Sequence, residues 1–241
     1  MQIKSRGIVL HTTNYSESSL VVKIYTESSG LCSFIVSGVR TKNSRFKSSL
    51  FQPLSLVEVV ASGKPGQTMY RITEIHLSPP FSGIPENVIK SSIAIFIAEV
   101  IYRSIKEEEP NPSLFHFMDS GIQILDLSRE NCSRFHLFFM TQLTRHLGSY
   151  PHGTCIRGVS VLDLREGLFR DSIPLHTDYL LPDVTALFYD LMQTDFENFH
   201  TIPIPSALSK QLLAALVAYF EMHQTHGATI RSHRILETVM G

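Results

Sequence analysis

Cysteine is scarce in this 241-residue chain, and long apolar runs are missing. The three cysteines, Cys32, Cys132 and Cys155, are odd in number and far apart, the pattern of a reducing compartment and not of a disulfide scaffold. No run approaches the roughly eighteen apolar residues that a membrane-spanning helix needs. The opening MQIKSRGIVLHTT interrupts its apolar segment too soon for a signal peptide, so a cytoplasmic protein without membrane contact is expected. The motifs of nucleophilic, nucleotide-cofactor and zinc-hydrolase chemistry are absent: no G-x-S-x-G, no P-loop, no G-x-G-x-x-G, no H-E-x-x-H. A non-enzymatic role without cofactors is therefore expected. Internal repeats and low-complexity linkers are also lacking.

Acidic residues are missing from one stretch in particular, since no carboxylate lies between Glu27 and Glu58. Inside that interval, residues 38–53 read GVRTKNSRFKSSLFQP and carry Arg40, Lys42, Arg45 and Lys47. Thr41, Asn43, Ser44, Ser48 and Ser49 stand among these cations as short donors suited to phosphate oxygens, with Phe46 between Arg45 and Lys47. Cations that release counterions, together with a ring that stacks on a base, suit a nucleic-acid backbone. The competing reading is a solvated loop whose charge only keeps the protein soluble. For Phe46 the alternative is a ring folded back on the domain to pin the loop.

The net charge of -1 hides an asymmetry. Residues 1–80 hold nine Lys and Arg against four Glu, a net of +5, and the remainder holds twelve bases against eighteen acids, a net of -6. Such a division favours a polyanion partner at the basic end.

The basic half reads as strands. Ile8 to Leu10, Leu20 to Tyr25, Cys32 to Val36, Leu54 to Val60 and Met69 to Leu77 are β-rich, with turn signals at Ser28-Ser29-Gly30, Gly38 and Ser62-Gly63-Lys64-Pro65-Gly66. Short strands in this number close most simply into a small barrel, which leaves no sticky edges. An SH3-like barrel is the alternative to an OB-type one. Past Pro79-Pro80 the period turns helical, and helices are expected from about Pro85 to Ile101, Ser113 to Leu127, Asn131 to Leu147, Asp183 to Thr194, Ser206 to His223 and Ile230 to Val239, with Ser206 as a cap. Residues 148–182 are rich in Gly and Pro and are expected to be irregular, with a hairpin over Val159 to Phe169. The expected architecture is thus α+β: a barrel with a nucleic-acid-binding loop at 1–79 and an α-helical domain at 80–241.

Several segments together resemble the RecO family of bacterial recombination mediators. They are Arg6-Gly7-Ile8-Val9-Leu10, Tyr15-Ser16-Glu17-Ser18-Ser19, Tyr25 to Gly30, Gly38-Val39-Arg40, Ser44-Arg45-Phe46 and Leu50-Phe51-Gln52-Pro53. Farther on, Glu107-Glu108-Glu109-Pro110-Asn111-Pro112, Arg134-Phe135, Leu147-Gly148 and Asp163 to Gly167 keep the family's order. The resemblance implies an OB-type barrel followed by helices, binding of single- and double-stranded DNA, annealing of complementary strands, and work with RecR to load RecA onto DNA coated with single-strand binding protein (SSB). It also implies action at the bacterial nucleoid. Many members carry a four-cysteine zinc site in the segment matching 148–182, where this chain has only Cys155.

The residues matching the DNA-binding loop are Arg40, Lys42, Arg45 and Lys47, with Phe46 for stacking and Lys4 and Arg6 on the first strand as outlying contributors. If about four to five cations neutralise phosphates, log affinity for single strands falls against log salt with a slope near -3 to -4. For the acidic, hydrophobic SSB tail, an apolar cleft with a cation at its rim is required, and Arg134, Arg145 and Phe138 are nominated. His152, Cys155 and His176 are too few for a structural metal site, and Asp163, Arg165 and Glu166 read as a turn with local salt bridges. An RNA-binding OB module and a protein adaptor without nucleic-acid binding are the alternative functions.

Overall fold

A computed structural model of the chain describes residues 2–39, 45–64, 68–105, 109–129 and 132–240. Compactness divides it into two units, Met1–Leu127 and Ser128–Gly241. In the first unit, strands β1 (Gln2–Asn14), β2 (Leu20–Thr26), β3 (Gly30–Val36), β4 (Leu56–Ser62) and β5 (Tyr70–Leu77) close into a barrel in the order β1-β2-β3-β5-β4. β3 and β5 pair in parallel through Phe34 with Tyr70 and Ile35 with Arg71, and the other contacts are antiparallel. This order is that of the OB-type barrel.

One long strand serves two neighbours. The first half of β1 pairs with β4 and the second half with β2, and at Gly7 both pairings coincide, with Val57 on one side and Thr26 on the other. A Cβ at Gly7 would lie 2.5 Å from Cγ2 of Ile24, so the absence of a side chain lets β1 coil across the barrel mouth. Farther along, the register slips between Val9 and His11, which leaves Leu10 as the extra residue of a bulge.

Alternation sends Val22, Ile24, Phe34, Val36, Val57, Val59, Ile72 and Ile75 into the barrel interior, where Val39 and Phe51 join them. Phe51 ends a short 3-10 turn, Ser48–Phe51, that directly follows Lys47, the last cation of the basic stretch.

The helices α1 (Gly83–Glu86), α2 (Val88–Ser104) and α3 (Pro112–Leu127) belong to the same unit as the barrel. The single helix expected from Pro85 is broken at Asn87, whose Oδ1 accepts from the N–H groups of Ile89 and Lys90 at 2.9 and 3.1 Å and so starts a new helix. Asp126 holds the preceding turn by accepting from the N–H of Ile84 at 2.7 Å, while its own carbonyl receives the buried Lys90 ammonium at 2.8 Å. Phe115 of α3 stacks on Tyr25 of β2, with ring centroids 6.4 Å apart.

The second unit contains α4 (Phe135–His146), a sheet of β6 (Val161–Asp163), β7 (Leu168–Arg170) and β8 (Tyr179–Leu180), then α5 (Pro182–Gln193), α6 (Ser206–His223) and α7 (His233–Met240). Every residue of α4 from Phe135 to Thr144 is buried. Within this interior the Gln142 amide donates to the carbonyls of Leu191, Met192 and Thr194 at 2.7 to 3.2 Å, closing the end of α5. Ser206 is the first helical residue of α6 and makes no capping bond; Pro205 occupies the cap. The expected hairpin is the antiparallel β6–β7 pair, to which β8 adds a third strand. Among the described residues, no helix is long and apolar enough to cross a membrane.

Candidate nucleic-acid interface

The strands of the barrel separate charge by face. β1, β2 and β3 contain no carboxylate, whereas Glu58 lies on β4 and Glu74 on β5. Residues directly opposite one another across a sheet share a face. Registration therefore builds one outward row of His11, Lys23 and Ser33, and beside it a row of Thr13, Val21, Ile35 and Arg71. Lys23 Nζ donates to Ser33 Oγ at 2.6 Å, and Arg71 Nη1 donates to Ser37 Oγ at 3.0 Å, which brings the Arg71 head to the entrance of the basic stretch. The two rows from His11 to Ser33 and from Thr13 to Arg71 thus carry cations and no carboxylate, and they lead into residues 38–53.

The opposite face is mixed. Registration places Lys4, Val60 and Glu74 in one row and Arg6, Glu58 and His76 in the next. His76 Nε2 lies 3.3 Å from Glu58 Oε2, and Lys4 shares a shallow groove with Glu27, Glu58 and Glu74. Arg6 is engaged: its Nη2 lies 2.6 Å from Asp119 Oδ1 of α3, its Nη1 lies 3.9 Å from Glu27, and its guanidinium sits 5.2 Å from the centre of the Phe115 ring. Lys4 and Arg6 therefore lie among carboxylates, on a different face from Lys23 and Arg71.

Of the loop residues, Arg40 and Lys42 lie outside the described residues. Arg45 and Lys47 are exposed. Phe46 is half-buried and packs against the barrel core, with the Arg45 guanidinium 5.4 Å from its ring centre. This contact is the one the packing role for Phe46 requires, in which the ring pins the stretch to the barrel.

The nominated partner residues of the second unit occupy three different environments. Phe138 is 1 % exposed and stacks on Phe199 at 5.0 Å, which corrects its placement on a docking surface: it is interior. Arg145 is held by Tyr150, with Nη2 2.6 Å from the hydroxyl and the guanidinium 4.5 Å from the ring centre. Of the three, Arg134 borders a cleft, which it lines together with Lys210, Leu213, Leu236, Met240 and one carboxylate, Glu237. At the base of that cleft, burial holds His136 at a pKa of about 3, so it contributes no positive charge.

Two family profiles match the chain: Recombination protein O N terminal over residues 1–81, and Recombination protein O C terminal over residues 85–229. The chain belongs to the RecO family. Proteins named DNA repair protein RecO from Phocaeicola vulgatus and Bacteroides fragilis are 36% and 35% identical to it over 234 and 235 residues, in each case 97% of both chains. That of Flavobacterium psychrophilum is 35% identical over 241 residues, 99% of both chains. This RecO chain is accordingly a member of a DNA repair and recombination family.

In this RecO chain the segment from 148 to 182 is organised around a carboxylate. Asp163, whose side chain is 3 % exposed, accepts from the N–H groups of Arg165 and Glu166 and from Arg170 Nε, each at 3.0 to 3.1 Å, and lies 3.4 Å from His176 Nε2. Burial by itself would raise its pKa; the two N–H groups and the His176 and Arg170 charges outweigh that and hold it below the ordinary value. Among the described residues no three His, Cys, Asp or Glu side chains converge as a metal site. Cys155 is the only cysteine of the segment, and His176 faces Asp163, so the residues present do not fit a four-ligand zinc centre.

Sequence reasoning missed Lys23 and Arg71. A lone cation in a strand carries no motif; only the lack of acids in β1 to β3, read together with strand register, would have singled them out.

Proposed function

We propose that this RecO chain is a non-enzymatic mediator that binds single- and double-stranded DNA on the β1-β2-β3 face of its barrel and on the basic stretch from Gly38 to Pro53. The observation that carries this reading is the sorting of charge around the barrel: Lys23 and Arg71 stand in the acid-free rows that lead into the stretch, while Glu58 and Glu74 lie on β4 and β5. A polyanion gains by counterion release where cations lie without competing carboxylates. Backbone gripping carries little sequence preference, which suits a protein that must act on any damaged strand. Arg45 and Lys47, with Arg40 and Lys42, extend the grip; Lys4 borders the mixed groove, and Arg6 serves as a strut to Asp119.

Annealing follows if two strands, each partly neutralised, are held by the same protein. In this reading the chain acts at the bacterial nucleoid, cooperating with RecR so that RecA gains access to SSB-coated DNA. For the acidic, hydrophobic SSB tail the cleft beside Arg134 and Lys210 offers two cations against one carboxylate, Glu237, with Leu213, Leu236 and Met240 as apolar lining. Annealing of complementary strands coated with SSB tests the proposal. The intact protein is expected to accelerate it, and a folded variant with Arg40, Lys42, Arg45, Lys47, Lys23 and Arg71 replaced by Ala is expected not to. Equal annealing by the two would remove the barrel face from the mechanism.

A further inference from the structure

The β1 bulge has a consequence for recognition. Ile8, Val9 and Leu10 are all buried, and the extra residue at this point turns His11 outward. Bulges commonly re-aim a side chain in this way. The His11 ring then lies flat on Tyr102 of α2, with centroids 4.6 Å apart and planes inclined by 9°. His11 is exposed and stands directly across from Lys23 in the acid-free row. The Arg103 guanidinium lies 5.9 Å from the Tyr102 ring centre, with its Nε 3.8 Å from Glu99. This corner of the barrel thus presents a flat ring, backed by a second ring, with cations on two sides.

We propose that His11, supported by Tyr102, is a stacking platform for a nucleobase of single-stranded DNA, with Lys23 placed to meet the adjoining phosphate. Aromatic platforms flanked by cations are how single-strand binders hold bases without reading their identity. Burial, assisted by Arg103 and Lys23 and opposed by Glu99, lowers the His11 pKa, so the ring is neutral at physiological pH and offers a π face instead of a third cation. Strands in a sheet are about 4.8 Å apart, so the path from His11 across β2 and β3 to Arg71 in the neighbouring row on β5 spans more than about 14 Å. That length lies along the face on which the DNA-binding reading rests, and the platform would be its far end from the basic stretch.

The test uses the full chain, fluorescent single-stranded oligonucleotides and matched abasic oligonucleotides of equal length. His11→Leu keeps apolar packing on Tyr102 but removes the ring, and it is expected to weaken binding of the base-containing strand about tenfold, within the range measured for base–aromatic stacking. His11→Phe is expected to restore affinity to within about twofold, and the abasic strand is expected to bind the intact protein and both variants alike. Quenching of a 2-aminopurine base on binding is expected for the intact protein and lost in His11→Leu. If His11→Leu binds both oligonucleotides as the intact protein does, or weakens them equally, the platform is refuted and the ring only fastens α2 to β1, while the DNA-binding reading stands. If the intact protein fails to bind single strands even at low salt, the platform and the DNA-binding reading fall together.

Discussion

Replacing Asp163 tests how the segment from 148 to 182 holds together. Its carboxylate is buried and accepts two backbone N–H groups and the Arg170 guanidinium, with His176 at 3.4 Å. Asp163→Asn can still accept from the Arg165 and Glu166 N–H groups through its carbonyl, but turns an amide toward Arg170 and loses the charge. Hydrogen bonds to a charged group contribute about 1.5 to 3 kcal/mol, and Arg170 is partly solvated, so a loss of about 2 kcal/mol is expected. Asp163→Ala also strands the two N–H groups at a buried turn and is expected to cost about 3 to 5 kcal/mol. For a unit of this size, thermal unfolding is expected about 8 °C lower for Asn and well beyond that for Ala, followed by scanning calorimetry. The pH dependence supplies the sign. A carboxylate with a lowered folded pKa stabilises at every pH above its unfolded value, and the benefit disappears as pH falls through the folded one. The difference between the natural protein and the Asn variant is therefore expected to shrink as pH falls below about 4. Equal melting temperatures for all three proteins at pH 7 would refute the hub.

Other perturbations separate structural cations from DNA-binding ones. Arg6→Ala removes the partner of a largely buried Asp119 and is expected to cost about 1 to 3 kcal/mol in chemical denaturation while leaving the salt dependence of DNA binding unchanged. Gly7→Ala drives a methyl group to 2.5 Å from the fully buried Ile24 and is expected to destabilise the barrel by about 1 to 3 kcal/mol, seen as a lower urea midpoint. Reversing the charge of both Arg134 and Lys210 to Glu is expected to abolish capture of an acidic SSB-tail peptide in a fluorescence anisotropy titration, with single-strand binding retained.

Local patterns carried much of the architecture. The alternation of Leu20 to Tyr25 and the stripe of Leu212, Leu213, Leu216, Val217 and Phe220 correspond to β2 and α6, because burial of one face is imposed residue by residue along each element. Asn87 breaks the expected first helix because its side chain bonds the next turn's N–H groups, a local competition that hydrophobic period alone does not register. Of the proposed interface, the part legible in sequence is the contiguous charge that includes Arg45 and Lys47. The part that register assembles was hidden: Lys23 and Arg71 meet the same face only because β3 pairs with both β2 and β5. Arg6 looked available for phosphate until α3 delivered Asp119 to it. Phe138 belongs to a helix with ten consecutive buried residues, a crowding already visible in its aromatic content and at odds with any docking role.

The salt dependence of single-strand affinity measures the central claim most directly, because the slope counts the phosphates neutralised. With the four cations of the basic stretch joined by Lys23 and Arg71, the slope of log affinity against log salt is expected near -4, at about -0.7 per contact. Lys23→Ala combined with Arg71→Ala is expected to make it shallower by about 1.4, to near -3. A double variant that is folded, yet binds with the slope of the intact protein, would contradict an interface on this face of the barrel.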